Sequence, residues 1–373
     1  MKLIYDMQYN FVILHPKNQR NKMQDINFDN IHRFSSLIAQ AARIAIVTHM
    51  RPDGDAMGSS TAMYHFLSML GKKEHKIIIP DPYPAYLDFI TSEIPAGAIC
   101  AHSTDKAQAE SALAQSDLII CLDFNAFHRT DAMAPALESS KAAKVLIDHH
   151  IGPDRESFAV SFSETQISSA SELLYHILMA FPQIDSDASR LPAACATALM
   201  TGMTTDTNNF ANSVYPSTLG MASSLLAAGV DRDNILSELY NRHSENRLRL
   251  MGHMMKDLMK LTDDGVAYIV LDTETMRNYK VQDGDTEGFV NMPLSIGKVR
   301  MSLLLKEEED RIRVSIRSKK GTSANRCARM FFNGGGHENA AGGRLNKPGD
   351  VATIAEVPEY IEKYTHLYLT EYE

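Results

Sequence analysis

No stretch of this chain approaches the run of about 18 apolar residues that a membrane-spanning helix needs. The apolar run near the N-terminus, Phe11 to Leu14, is too short for the core of a secretory signal. Both absences point to a cytoplasmic protein with no membrane partner. Cysteine is scarce, and Cys100, Cys121, Cys195 and Cys327 form no CxxC pair. They read as buried, reduced thiols. Positive charge is also short: 37 Lys/Arg against 46 Asp/Glu leave a net charge of −9. A protein that tracks long duplex nucleic acid is expected to be basic. A small anionic substrate held by metal ions remains compatible. No internal repeat or low-complexity segment is evident.

What is present is a chain of 373 residues, 44% hydrophobic and 22% charged, the composition of a globular protein with room for two domains. Short apolar runs at 44–48, 76–79, 117–122 and 144–147 alternate with helical stretches at 31–43, 56–70, 106–115 and 130–139. That alternation predicts an α/β fold, a parallel sheet wrapped by helices on both faces. Further helices are expected at 169–181, 191–203 and 216–228. Residues 231–262 read as one helical connector, with Leu248, Met251, Met255, Leu258 and Met259 as an ordinary packing stripe. Strands at 266–271, 299–305 and 311–317, with helices at 287–296 and 322–332, predict a smaller α+β domain over 263–373. Residues 31–230 form the first domain. Residues 1–30 read as an N-terminal extension to which the sequence assigns no role, in which Met23 offers an alternative start.

Four acidic-and-histidine clusters carry the chemistry. His49, Asp53 and Asp55 follow the first apolar run, Asp123 follows the third, and Asp148-His149-His150 follows the fourth. Asp206 sits in a Thr-rich turn after an Ala-rich segment. In parallel sheets, sites form beyond the C-terminal strand ends. Hard carboxylates mixed with imidazoles favour Mn²⁺ or Mg²⁺ over structural zinc. Four carboxylates and two or more histidines suit two ions. Such a pair would lower the pKa of a bridging water and give hydroxide near neutral pH. Adjacent strand residues face opposite ways, so one of His149 and His150 is expected at a metal and the other elsewhere, toward substrate. Asp148 is expected to orient a ligand. Each piece alone is ordinary, since a strand-end Asp is usually a cap and a His pair usually packing. All four in this order are hard to explain that way.

At these residues the chain resembles the DHH phosphoesterase superfamily. The resemblance rests on HxxxDGD at 49–55, Asp123, Asp148-His149-His150 and Thr-Asp-Thr at 205–207. VSIRS at 314–318 and GGGHxxAAGG at 334–343 resemble the DHH-associated C-terminal domain. EGFVNMPLSI at 287–296 is similar to one branch, the nano-RNase and pAp-phosphatase group. The resemblance covers about residues 30–345.

It implies a phosphoesterase acting on short oligoribonucleotides, linear dinucleotides or 3′-phosphoadenosine 5′-phosphate (pAp). Two divalent cations are implied, Mn²⁺ foremost, with Mg²⁺ or Co²⁺ as alternatives. His49, Asp53 and Asp123 would hold one ion. Asp55, Asp123, His149 and Asp206 would hold the other. His150 would meet the scissile phosphate, giving a catalytic set of Asp123, Asp148 and His150. Arg317, Ser318, Gly334, Gly335, Gly336 and His337 would hold substrate, with Arg129 as a weaker match. The glycines could expose amides to an anion. Seven Lys/Arg over 311–329, with no acidic residue, form a local basic patch. A cyclic-dinucleotide phosphodiesterase, a pyrophosphatase-like hydrolase and a non-catalytic nucleotide sensor are the competing readings. A homodimer is compatible with all of them.

Overall fold

The computed structural model describes residues 26–242, 244–282 and 284–372. The expected extension lies outside the described residues as far as residue 25. Helix α1 (Phe28–Gln40) begins before the expected Ile31, because the Asn27 side chain accepts from the Asn30 amide at 2.8 Å and starts the helix there.

The first sheet contains β1 (Arg43–Val47), β2 (Glu74–Ile79), β3 (Ile99–Ala101), β4 (Leu118–Leu122), β5 (Ala143–Asp148) and β6 (Val160–Ser163). Its order is β3-β2-β1-β4-β5-β6, and every pairing is parallel. Helices α2 (Gly54–Met69), α3 (Asp88–Thr91), α4 (Lys106–Gln115), α5 (Ala134–Ser139), α6 (Ala170–Met179), α7 (Ala193–Asp206) and α8 (Pro216–Ala227) accompany it. Strand periodicity sorts the apolar residues onto two faces. Ile44, Ile46, Ile120 and Ile147 pack with α1, α2, α6 and α7. Ala45, Val47, Ile119 and Cys121 pack with Leu113 of α4 and Leu137 of α5. Each fully buried Ile or Leu contributes roughly 1.5–3 kcal/mol relative to exposure. The edge strand β3 falls on the short apolar run around Cys100, and β6, only four residues long, is not legible in the sequence.

Helix α7 runs further than expected, so Asp206 lies in its last turn and not in a turn after it. The threonines stay helical because their hydroxyls bond carbonyls one turn back. Thr201 donates to Thr197 O and Thr207 to Met203 O, both at 2.8 Å. The expected single connector is two helices, α9 (Arg232–Tyr240) and α10 (Glu245–His253), followed by a π-helical turn at Met254–Leu258. Ile235 and Leu239 join the first core, whereas Leu250 and Met254 join the second.

The second sheet contains β7 (Lys260–Leu261), β8 (Val266–Leu271), β9 (Met301–Glu307), β10 (Arg311–Ser318), β11 (Gly335–Gly336) and β12 (Ala340–Asn346), in the order β11-β12-β10-β9-β8-β7. Helices α11 (Thr273–Asn278), α12 (Ala324–Phe331) and α13 (Val357–Glu371) belong to this half. The expected helix at 287–296 is a 3-10 segment, Phe289–Ser295, interrupted by Pro293. Ile312, Val314 and Ile316 face α12 and α13. On the opposite face, Ile269 and Leu304 are covered by α10 and Phe289–Val290. Arg313, Ser315 and Arg317 alternate with the buried residues of β10 and so share that opposite face. No described helix is long and apolar enough to cross a membrane.

Candidate active site

Strand order reverses between β1 and β4, and in open parallel sheets ligands bind in the crevice at such a point. His49 follows β1 and Asp123 follows β4, and His49 Nε2 stands 3.3 Å from Asp123 Oδ2. His49 Nδ1 bonds Met50 O at 2.8 Å, which turns the Nε2 lone pair toward the carboxylates. Asp123 has φ +64, a left-handed conformation that a non-glycine residue adopts only when its surroundings enforce it. From β5, His149 Nε2 reaches Asp123 Oδ1 at 3.3 Å, Asp206 Oδ2 at 3.4 Å and Asp55 Oδ2 at 3.9 Å. Five of the six residues expected at metals thus fall in two groups, His49/Asp53/Asp123 and Asp55/Asp123/His149, which share Asp123, and Asp206 stands beside the second at His149.

Local structure sets each carboxylate. Asp53 caps α2, its Oδ1 accepting from the amides of Asp55 and Ala56 at 3.1 Å. Asp55 is buried, and the first amides of α6 hold it: Ala170 N–H donates to Oδ2 at 2.6 Å and Ser171 N–H to Oδ1 at 2.9 Å. That clasp is not foreseen in the sequence. Its available signal is Ser169 placed three residues before Glu172, an N-cap pattern realised by a 2.9 Å bond from Glu172 N–H.

Both histidines face the cleft, His149 toward the carboxylates and His150 toward His337. Strand β5 ends at Asp148, so the alternation no longer applies to residues 149 and 150. Their rings lie 4.9 Å apart at 72°. Asp148 Oδ1 meets His150 Nδ1 at 2.7 Å, and Asp148 Oδ2 accepts the His150 amide at 3.1 Å. His337, from the second domain, stacks on His150 with centroids 4.4 Å apart and lies 4.8 Å from His149.

The electrostatics describe crowded negative charge. Burial, then the neighbouring Asp123 and Asp206, pushes Asp55 well above the usual carboxylate range. Burial also raises Asp206 to about 7, with His149 opposing and Asp123 and Asp53 adding to the rise. Burial works against charge on Asp123 too, yet the adjacent imidazoles of His149 and His49 hold it well below that range. Burial disfavours the His49 cation, but Asp123 and Asp53 outweigh it and lift His49 to about 9. In this state, protons on histidine offset the carboxylates. Asp123 Oδ1 is buried without a hydrogen-bond partner of normal geometry. A donor set of hard carboxylates and imidazoles with such an atom at its centre fits divalent cations, which would displace those protons.

The expected substrate contacts divide. Arg317 stands within the field of Asp206, Asp53 and Glu287, which offset the burial that lowers its pKa. Arg129 lies close enough to His49 and His337 to affect both, and its buried Nε has no hydrogen-bond partner. Ser318 does not share the cleft face with Arg317. As the next residue on β10 it points to the buried side, where its hydroxyl donates to Thr322 O at 2.6 Å and accepts from Asn339 at 3.0 Å.

Nor do Gly334, Gly335 and Gly336 form the expected open amide cradle. The amides of Gly334, Gly336 and His337 donate to Ala328 O, Asn325 Oδ1 and Ala340 O at 3.2, 3.1 and 2.7 Å. A side chain is excluded there by close approach, since a Cβ on Gly334 would meet Gly342 O at 1.9 Å. The ribbon presents His337. Burial, reinforced by His149 and His150, pushes that imidazole down to about 2, so it is neutral.

Two interdomain contacts escape the sequence reading. Arg51 Nη2 lies 3.3 Å from Glu308 Oε1, and the Tyr86 hydroxyl donates to Glu287 Oε2 at 2.5 Å. Nothing local in the sequence marks either pair.

Comparison with known proteins agrees with this geometry. Residues 43–203 match the DHH family, N-terminal domain, and residues 263–363 match the DHHA1 domain. The chain is 28% identical over 307 residues to the bifunctional oligoribonuclease and PAP phosphatase NrnA of Thermus thermophilus, covering 81% of this chain and 84% of that one. It is 26% identical over 306 residues to the protein of the same name from Bacillus subtilis, covering 81% and 89%. A crystal structure of an exopolyphosphatase-related protein from Bacteroides fragilis superposes with a TM-score of 0.82 and 36% identity, covering 91% of this chain and 96% of that one.

Proposed function

The chain belongs to the DHH family, in its nano-RNase and pAp-phosphatase branch, and from that membership we propose a Mn²⁺-dependent phosphoesterase acting on short oligoribonucleotides, linear dinucleotides or pAp. The observation that carries the reading is Asp123, shared by two groups of metal-compatible side chains beneath His337. His49, Asp53 and Asp123 would hold one ion, and Asp55, Asp123, His149 and Asp206 the other. Such ions would supply a nucleophilic water near neutral pH and charge to offset the phosphoryl oxygens.

The remaining roles fall to side chains that hold no ion. Asp148 orients His150 through the 2.7 Å bond to Nδ1, leaving Nε2 to meet the scissile phosphate and handle the proton of the departing oxygen. His337, neutral and stacked on His150, offers a hydrogen bond to the same phosphate. Arg317 and Arg129 approach from opposite domains and pair with its charge. The Arg51–Glu308 and Tyr86–Glu287 contacts hold the two domains together over the substrate.

The test is direct. The purified protein is incubated with Mn²⁺, Mg²⁺ or Co²⁺ and with pAp, pApA, an RNA pentamer, a cyclic dinucleotide and pyrophosphate, and the products are separated. Metal-dependent release of mononucleotide or phosphate from the first three is expected. Preferential hydrolysis of the cyclic dinucleotide or pyrophosphate would overturn the substrate assignment. Asp123→Asn should abolish turnover, and near-normal activity in that variant would sink the metal assignment.

A further inference from the structure

The basic stretch 311–329 does not act as one patch. Arg311 is paired with Glu308 at 2.7 Å, Lys319 donates to Ile296 O at 2.9 Å, and Arg317 faces the metal-binding cleft. Arg313 shares the face of Arg317 on β10 and Lys320 lies in the turn before α12, which leaves Arg326 and Arg329 on α12 itself. Both are exposed on α12, and neither guanidinium has an ion-pair or hydrogen-bond partner among the described residues. At i and i+3 they sit side by side on the helix surface. Together with Ser323, Asn325, Met330 and Tyr372 they line a cavity of about 450 Å³. Met330 is 40% exposed and Tyr372 36% exposed, so a polarisable thioether and an aromatic ring are open beside two unpaired cations. Glu338 also lines the cavity, but its carboxylate accepts from Ser323 Oγ at 2.9 Å.

This cavity shares a wall with the ribbon that presents His337. Asn325 Oδ1 accepts the Gly336 amide at 3.1 Å, and a Cβ on Gly335 would stand 3.6 Å from Arg329 Cγ. The ribbon carries no side chain between the two places, so an extended strand can cross it closely. We propose that the α12 cavity is an outer subsite for a second or later nucleotide of a short oligoribonucleotide. Arg326 and Arg329 take a backbone phosphate there, and Tyr372 and Met330 support a base. Unpaired guanidiniums recognise phosphate, and exposed aromatic and sulfur side chains accept bases without reading their sequence. The assignment rests on the oligonucleotide reading above and extends it, and pAp, with a single nucleoside, is the substrate that lacks a second nucleotide to place there.

The experiment uses the full chain, with Arg326→Ala/Arg329→Ala as the variant. Both positions are exposed, and Arg326→Lys/Arg329→Lys serves as the charge-keeping control. With Mn²⁺, the alanine variant is expected to raise KM for an RNA pentamer roughly tenfold, leaving kcat and the KM for pAp unchanged. The lysine variant should recover most of the loss. Affinity of the alanine variant should also depend less on salt, by about 0.7 in the log–log slope per phosphate contact removed. An unchanged pentamer KM, or an equal rise for pAp, would overturn the subsite. If the wild-type protein hydrolyses neither substrate, the hydrolase reading fails, and fluorescence anisotropy of a labelled pentamer in EDTA decides the subsite alone. Tighter binding by wild type than by the alanine variant upholds it, and equal binding overturns it.

Discussion

Asp123 concentrates the chemistry of the site in one side chain. It receives His49 on one oxygen and His149 on the other, from a left-handed backbone position at the end of β4. Asp148 acts at one remove, and Asp148→Asn keeps its shape while weakening its hold on His150. A fall in kcat of about 10–100-fold, with little change in KM, is expected from steady-state kinetics. Glu172, next to the α6 amides that hold Asp55, offers a test of pH dependence in a carboxylate that is not among the expected metal ligands. Burial raises its pKa, but the His176 imidazole 3.6 Å away and the hydroxyls of Ser168, Ser217 and Thr218 prevail and hold it at about 2, against 4.5 unperturbed. A depressed carboxylate stabilises the fold above pH 4.5 and loses that contribution as pH falls toward 2. Glu172→Gln should therefore cost roughly 1–3 kcal/mol near neutrality and flatten the acid limb of the stability curve. Denaturant melts between pH 3 and 7 would show it, and parallel curves for the two proteins would refute it. These residues differ in how far the sequence shows them. His49, Asp123 and Asp148 are legible because each ends an apolar run. Ser318 misleads, because adjacency to Arg317 places it on the wrong face of a strand.

Among the elements, the α2–α7 contact sets the spacing of the metal groups. Asp55 lies in the first turn of α2 and Asp206 in the last turn of α7, so the helices must approach closely for both to reach His149. Gly202 permits that approach. A Cβ there would meet Ser171 Oγ at 2.0 Å and Asp55 Oδ1 at 2.8 Å. Gly202→Ala is expected to cost about 1–3 kcal/mol by overpacking and to weaken Mn²⁺ affinity by displacing Asp55. Gly220 of α8 has nothing within 4 Å of its Cβ position, so Gly220→Ala should be neutral or stabilise by up to about 1 kcal/mol. Thermal melts and metal titration of the pair would separate the effects. Equal behaviour would mean that Gly202 has no role in spacing the site. The helices α2 and α7 are legible from composition, but their contact is not, because small residues in two distant segments do not state that they face each other.

At the scale of the whole molecule, the proposed activity requires the second domain to stand over the first. His337 stacks on His150, and Arg317 enters the field of Asp206 and Asp53. Arg317→Ala should raise KM for pAp about tenfold to hundredfold, the worth of a hydrogen bond to a charged group. Tyr86→Phe should raise it only a few fold, since its bond to Glu287 is made at a solvent-accessible cleft. Kinetics on both variants check the ranking, and a larger loss in Tyr86→Phe would reverse the assignment of roles. Taken alone, the sequence determined the α/β class, the metal-compatible residues and the presence of a second sheet. Those follow from local periodicity and from carboxylates placed at strand ends. Only the tertiary structure decided that His149 and His150 face the same cleft, that α6 amides hold Asp55, and that the glycine ribbon presents His337 instead of cradling an anion. Each of these depends on groups far apart in the chain meeting at hydrogen-bond distance, and local sequence pattern does not encode that meeting.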